Sequence, residues 1–501
     1  IDTLVSWMHH LPASTDPSRI DLQINLAWAL AHYFRFDESR QLLDNLDQMV
    51  VNHRDDITPN AWLKLRVVRA ICEAFAEKIP ESLAIVEPLL AKVPCGDTWV
   101  DGLICNILSY CHVVNQRYSD ALEVQRHMPC PESPLDNLFV SVYRAFIITQ
   151  CHLGQGDLEN AWGHAENALR QAERYTGPQS TSGATLAPLL AEMAYERMNL
   201  DSLNTLLADR LEFIDRFGPP DALSRCYTYL ARQALNDDMP HEAERLLEHA
   251  QRLAVSRGWQ RPQALLLAEQ ARVRLQRANY SGAEQLHRQL EQLAARATID
   301  AETPCQRAIA QHANVSRSRL LLASGQAPQA SLLLGELVTE QARRGDRLSA
   351  ARLRTLWSLS LWNSGENAAA VAALQPVLQL AAQQHLKRIF LDAGDALQPL
   401  LVRVRETSAA SEGDDPWPGK GSESEGKRIE HENLDVNLDL SERELQILQL
   451  IADGQMNKEI ARSLTISTET VKWHIKNIYA KLKVNSRTQA MSRALEMKLL
   501  D

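Results

Sequence analysis

The chain has 501 residues, 45% of them apolar and 23% charged, which suits a folded protein of several domains and excludes a disordered or fibrous one. No apolar run approaches the ~20 residues that span a bilayer, no signal peptide is visible, and the eight cysteines form no CxxC pair, so a reducing cytoplasm is expected and a membrane location is not. The net charge of −10 is uneven: residues 441–501 carry ten Lys and Arg against seven acids, a net of +3, so the other 440 residues carry −13, and a basic end on an acidic body implies a local polyanion site.

From Pro17 to about Leu401 the pattern is helix after helix, with almost no strand-like alternation. The chain starts at Ile1, already in the text of a helical array, and is expected to be the C-terminal part of a longer protein. A small residue recurs early in the second helix of each pair, followed by apolar residues three and four places on. It stands at Ser39, Ser82, Ala121, Ala161, Ser202, Ala243, Ala283, Ala330 and Ala370, in steps of 43, 39, 40, 41, 41, 40, 47 and 40 residues. About nine hairpins follow, and Pro59, Pro134, Gly218-Pro219-Pro220, Pro262 and Pro304 fall between pairs, where they reset the next helix.

The stretches CHLGQGDLENAWGHAENALRQAE (151–173) and NDDMPHEAERLLEHAQRLAVSRG (236–258) resemble the junction of a tetratricopeptide repeat, in which a small residue lets two helices approach closely. The usual period of that repeat is about 34, so these units have extended helices; armadillo or HEAT repeats, at roughly 40–47, are the alternative. Either gives a solenoid with a concave surface. The start, WMHHLPASTDPSRIDLQINLAWALAHYFRFDESRQLLD, and the finish, HLKRIFLDAGDALQPLL (385–401), resemble the sensor region of the maltose-regulator type, the large ATP-dependent members of the LuxR-type regulators. That resemblance implies an ATP switch domain upstream of residue 1 and no cofactor within this chain. The nearest text to a phosphate loop, Pro418-Gly419-Lys420-Gly421-Ser422, lacks the Gly-x4-Gly-Lys-Ser/Thr spacing that wraps phosphate oxygens, and has no flanking strand or helix.

Trp28, Trp62, Trp99, Trp162, Trp259, Trp357 and Trp362 lie in the solenoid as packing anchors, with one or two available to line a ligand site on the concave face. His9-His10 is no metal signature, and no HExxH, zinc-type Cys/His cluster or nucleophile elbow is present, so catalysis is not expected. Glu406 to Asp439 holds ten acids, three Lys and Arg and many Ser and Gly, and reads as a flexible acidic tether between a repeat domain at 1–405 and a small domain at 440–501.

In the last stretch Ser441 and Glu444 make a capping box. Leu445, Leu448, Ile451 and Ala452 recur at helical spacing, and Gly454 is placed to end that helix. Asn457 opens a second helix with Ile460, Ala461 and Leu464; Thr465-Ile466-Ser467 makes a turn; and a third helix is predicted from about Thr468 to Leu482. A fourth, about Ser486 to Leu499, carries Ala490, Ala494, Leu495 and Met497. Helix, short turn, basic helix is the logic of a helix-turn-helix reader. The run GQMNKEIARSLTISTETVKWHIKNIYAKL resembles the LuxR-type, tetra-helical helix-turn-helix domain without a gap. In the third helix Val471, Ile475, Ile478 and Leu482 are spaced by four, three and four and point to the core, while Lys472, Lys476 and Lys483 follow another face with Trp473 and Asn477 beside them. The resemblance implies that Lys472, Trp473 and Lys476 reach base edges, lysine donating to guanine and the indole packing on thymine methyls. Lys458, Ser467, Thr468, Thr470, Lys481, Asn485 and Arg487 are placed for phosphates, which fix register rather than sequence. His474 is open between packing and a backbone contact.

The chain is therefore expected to be all-α: a tetratricopeptide-like solenoid followed by a tetra-helical helix-turn-helix domain. The resemblance implies a transcription regulator, with activation favoured. Its partners would be double-stranded promoter DNA, an unknown small inducer or regulatory protein at the repeats, and RNA polymerase, with two copies or more pairing on DNA through the last helix. The competing expectation is a protein-interaction scaffold whose C-terminal domain serves for dimerisation.

Overall fold

The computed structural model describes residues 19–53, 57–128, 137–295, 303–408, 442–452 and 455–464, and eleven further positions between Val471 and Ala494. Among the described residues there are 23 α-helices and no strand. The chain divides into two compact units, Ile1–Trp417 and Pro418–Asp501. Pro134, the text 409–441 with its predicted tether, Ser441 and Gly454 lie outside the described residues.

Among the described residues the first unit is built from nine helical hairpins. Their arms are α1 (Ile20–His32) and α2 (Phe36–Asn52), α3 (Pro59–Phe75) and α4 (Ile79–Val86), α5 (Thr98–Val114) and α6 (Tyr118–Arg126), α7 (Leu138–Gly154) and α8 (Leu158–Thr176). In the fifth hairpin α9 (Thr181–Glu196) faces a second arm split into α10 (Leu200–Leu207) and α11 (Leu211–Phe217). Then follow α12 (Pro220–Asn236) and α13 (Pro240–Ser256), α14 (Gln260–Gln276) and α15 (Tyr280–Ala295), α16 (Pro304–Ala323) and α17 (Ala327–Arg344), α18 (Arg347–Asn363) and α19 (Asn367–Gln384). A short α20 (Arg388–Leu391) and α21 (Gln398–Ser408) close the unit. Many first arms run to 17 residues, which accounts for the long repeat period. The expected starts hold at Pro59, Pro220 and Pro304, each at the first helical position; Thr58 caps Ala61 N–H, and Thr303 with Gln306 forms a capping box. Pro262 instead lies in the first turn of α14, which begins at Gln260.

One turn is used nine times. The middle residue of each three-residue link has a positive φ: Phe34, Glu77, Gln116, Gly156, Met198, Asp238, Ala278, Gly325 and Gly365. The next backbone N–H reaches back to the carbonyl five residues earlier, as in Arg35 to Leu30 at 3.0 Å and Glu366 to Leu361 at 3.0 Å, closing a Schellman cap. Five residues beyond the left-handed position comes the predicted small residue. Ser39, Ser82, Ala121, Ala161, Ala243, Ala283, Ala330 and Ala370 are all fully buried.

Each of these has a small partner twelve residues earlier on the first arm: Ala27, Ala70, Ser109, Thr149, Ala231, Ala271, Ser318 and Ser358. Where one of the two is serine, the hydroxyl can bridge the crossing. Ser39 Oγ donates to Ala27 O at 2.9 Å, Ser82 Oγ to Ala70 O at 2.8 Å, and Ser109 Oγ to Ala121 O at 3.0 Å. The fifth hairpin departs from the expectation. Ser202 is only partly buried, and the register set by Met198 puts Leu203, fully buried, at the junction opposite Ala191. The second arm that carries this larger side chain breaks into two short helices; that of the second hairpin, with Ser82 at its junction, also changes at Glu87 from α4 to a 3-10 turn running to Lys92.

The hairpins wind until the ninth lies against the fourth, and the successive turns of the superhelix touch. Trp259 has no exposed surface; its Nε1 donates to Phe75 O at 2.8 Å, and its ring meets Phe34 edge-on at 4.7 Å. Arg261 binds Glu77, Gln116 donates to Gln341 and Asp346, and Tyr118 OH donates to Asp346 at 2.9 Å. Further along, Leu158 N–H donates to Gln384 Oε1 at 2.8 Å and Lys387 N–H to Glu196 O at 2.9 Å. A Cβ at Gly156 would stand 3.3 Å from both Arg347 Cβ and Leu380 Cδ1, so this turn takes glycine for the close approach as well as for its φ of +75°. The left-handed Phe34, Glu77 and Gln116 give up about 1–2 kcal/mol each in backbone strain, and each uses its side chain in the seam between turns.

Enlarging a junction residue should force the arms apart. Ala243→Leu is expected to lower stability of the full chain by about 1–3 kcal/mol in urea denaturation followed by circular dichroism. Ser202→Ala, off the junction, should stay within about 0.5 kcal/mol.

Candidate functional site

In the C-terminal unit the apolar positions assemble as the spacing predicts. On α22 (Glu442–Ala452), Leu448 and Ile451 are fully buried, joined by Ile447, and on α23 (Asn457–Ser463) Ile460 and Ala461 are buried. Met456 N–H donates to Glu459 Oε2 at 2.7 Å, which fixes the start of α23. Val471, Ile475, Ile478 and Leu482 are helical and lie in the same core with Ala490 and Ala494, while Leu445, Ala452 and Leu464 pack at its edge. His474, 3% exposed, belongs with this packed side. Lys458 lies on α23. Lys472, Trp473, Lys476, Ser467, Thr468, Thr470, Lys481, Asn485 and Arg487, with Leu495 and Met497, lie outside the described residues.

The repeat unit contains a partly open cavity of about 670 Å³, lined mainly by first arms of the third to the ninth hairpin. The sequence reading missed it. On α12, Asp221, Arg225, Thr228 and Arg232 are spaced by four, three and four and all line it. Gln150 on α7, Glu192 on α9, Arg261 on α14, Arg307 and His312 on α16 and Arg352 on α18 complete the inner wall. A signal for this was present: α12 is buried on nearly every side, yet it carries charges at core spacing. None of the seven solenoid tryptophans lines the cavity, against the expectation that one or two are available to do so. Trp259 is spent in the seam between turns, Trp62 is 39% exposed, and the others pack at the edge of the core.

The wall is cationic and its carboxylates are engaged. Glu192, 1% exposed, accepts from Arg225 through Oε2, and from Arg352 at 2.9 Å and Tyr229 at 2.8 Å through Oε1. Arg352 also binds Glu196 at 2.7 Å. Asp221 takes both Nη groups of Arg261 together with Tyr110 OH, and Glu340 takes Arg343 and Arg344. Arg232 is held by Glu269 and Asp392. These partners hold Arg232 and Arg261 well above the usual guanidinium value despite burial, whereas burial lowers Arg225, with Arg352 and Arg261 adding to the shift by like-charge repulsion. Among the described residues no group of three His, Cys, Asp or Glu could hold a metal ion, and no helix is long and apolar enough to cross a membrane.

Two family descriptions match the chain: "MalT-like TPR region" over residues 64–407, and "Bacterial regulatory proteins, luxR family" over residues 438–494. The HTH-type transcriptional regulator AlkS of Alcanivorax borkumensis is 20% identical over 509 residues, covering 99% of this chain and 56% of AlkS. The transcriptional regulatory protein LiaR of Bacillus subtilis is 46% identical over 84 residues, 16% of this chain and 40% of LiaR. The response regulator VraR of Staphylococcus aureus is 49% identical over 61 residues, 12% of this chain and 29% of VraR. The chain thus spans 56% or less of the length of these curated relatives. A Rap protein solved in complex with competence and sporulation factor shares the fold, with a TM-score of 0.55 and 11% identity over 74% of this chain and 99% of that one.

Burial also sets a pH dependence. His312, on the cavity wall, and His32, among Trp28, Phe75 and Phe139, are each held down to about 4 from 6.5 by burial. The unfolded chain therefore binds more protons between those values, so the stability is full above pH 6.5 and is lost as pH falls towards 4. At pH 5 each histidine should cost about 1–2 kcal/mol relative to pH 7.5. His32→Phe, which keeps a ring in place and takes no proton, should remove its share in urea denaturations at the two pH values.

Proposed function

Because the chain belongs to the family described as the MalT-like TPR region and carries a luxR-family regulatory domain after it, we propose that it is a DNA-binding transcription regulator whose repeat unit senses an inducer. The observation that carries the reading is the luxR match over residues 438–494 on a unit whose core claims Val471, Ile475, Ile478 and Leu482. Helical periodicity then leaves Lys472, Trp473 and Lys476 for a face turned away from that core, the face a major groove reads. In this reading Lys458, Ser467, Thr468, Thr470, Lys481, Asn485 and Arg487 hold phosphates, the output is activation through RNA polymerase, and two copies pair on promoter DNA. An ATP switch belongs to sequence outside this chain. The inducer, a small molecule or a regulatory protein, acts by favouring one arrangement of the protein over another.

A second reading, a protein-binding scaffold, draws on the Rap protein, a solenoid of the same fold solved in complex with another factor. It predicts no specific DNA binding.

The test is a mobility shift of the full chain on promoter fragments over a range of salt. DNA binding that weakens steeply with salt is expected. Lys472→Ala with Lys476→Ala should weaken specific binding at least ~10-fold, from about 1–3 kcal/mol per lost base contact. Arg487→Ala should weaken all sequences alike and reduce the salt slope by about 1. Salt-insensitive binding, or no effect of the double variant, defeats the reading.

A further inference from the structure

The hydrogen-bond inventory of the cavity wall is unbalanced. Its four carboxylates are engaged: Glu192, Asp221 and Glu340 by arginines, and Asp346 by Gln116, Tyr118 and Ser349 N–H. Donors remain. Gln150, 4% exposed, turns its Oε1 to Arg225 Nη2 at a long 3.4 Å, which leaves the buried Nε2 without a partner. Thr228 Oγ1, on a residue 4% exposed, and Arg352 Nε are likewise buried and unpartnered. Arg225 shares its one carboxylate with Arg352, yet keeps 24% of its side-chain surface accessible, on a residue that lines the cavity. Buried donors without acceptors cost about 1–3 kcal/mol each, and while Arg225 and Arg352 share Glu192 and Glu196, the cavity lining as a whole carries seven arginines against four carboxylates.

A ligand that completes this wall must bring acceptors and negative charge. A donor-rich molecule would leave Gln150 Nε2, Thr228 Oγ1 and Arg352 Nε unpaired, and a cation would be repelled by the arginines of the wall. We infer that the cavity is the binding site of a small anionic ligand, a carboxylate or phosphate compound, whose acidic group is received by Arg225, Gln150 and Thr228 with Arg352 behind them. The receiving residues stand on first arms of three hairpins, so an anion seated there ties together the fourth, sixth and ninth. This rests on the sensing role proposed above and gives that role its ligand chemistry.

The experiment follows thermal unfolding of the full chain in potassium chloride, phosphate, succinate and glucose, at matched ionic strength for the salts. Phosphate or succinate should raise the melting temperature saturably, by about 3 °C or more at high occupancy, with glucose inert. Whichever of the two saturates at the lower concentration identifies the acidic group. Arg225→Gln should abolish the increment; Thr228→Val, which keeps the shape and cannot hydrogen-bond, should weaken it at least ~5-fold without changing the helical signal. Equal increments in wild type and both variants would mean a general salt effect, and a glucose effect removed by Arg225→Gln would mean a neutral ligand; either overturns the anionic site. No increment with either anion overturns it as well. The sensing role is judged separately: saturable anion binding that leaves promoter affinity unchanged defeats sensing and leaves the site standing.

Discussion

Close crossing of two helices at a pair of small residues is the constraint on which the rest of this protein rests. With Ala, Ser or Thr on both sides, twelve positions apart, the arms of a hairpin approach closely, and the Schellman-capped turn between them has one length throughout. Turns of one length at all nine hairpins, with a small pair at eight of the junctions, give a steady rotation from one hairpin to the next, and a steady rotation closes into a superhelix. At the fifth hairpin Leu203 takes the junction opposite Ala191, and the first arm still stacks in register.

Closure turns the inner face of the first arms into an interior. Residues such as Arg232, Arg261 and Glu269 are polar because they line a concave surface, and winding then removes most of their water. Buried ion pairs recover little net stability over apolar packing. Their part here is one of position: Arg261 meets Glu77 from an earlier turn, and Arg232 meets Asp392 from the closing segment, so they set how one turn seats on the next. The apolar seam around Trp259, Phe34 and Phe75 supplies the driving force, because burying an aromatic side chain removes a large area from water.

What the sequence disclosed follows from the range of each interaction. A hairpin junction is local, so a small residue at a 40-residue period located eight of nine positions, and missed the ninth by one residue because serine at 202 outweighed the turn register set at Met198. The C-terminal core was legible for the same reason: four, three, four spacing is enough to turn Val471, Ile475, Ile478 and Leu482 inwards. The cavity was not. It depends on pairings such as Trp259 with Phe75, 184 residues apart, and Gln116 with Asp346, 230 apart, for which no local pattern codes. The charged spacing of α12 was visible, but on an isolated helix it reads as a solvated face.

The seam between turns also orders the assembly of the chain in time. The first four hairpins each have a complete local specification in their turn and their small pair, so they can form as they leave the ribosome. The Phe34 ring and the Phe75 carbonyl then wait for Trp259, which is synthesised roughly 180 residues after Phe75. At about 5–20 residues per second that interval is on the order of ten seconds or more. During it the N-terminal hairpins leave open the side of Phe34 that Trp259 comes to cover. The repeat unit is therefore modular in its folding and non-modular in its solubility, and a truncation ending before the sixth hairpin would keep its helices and lose the surface that covers them.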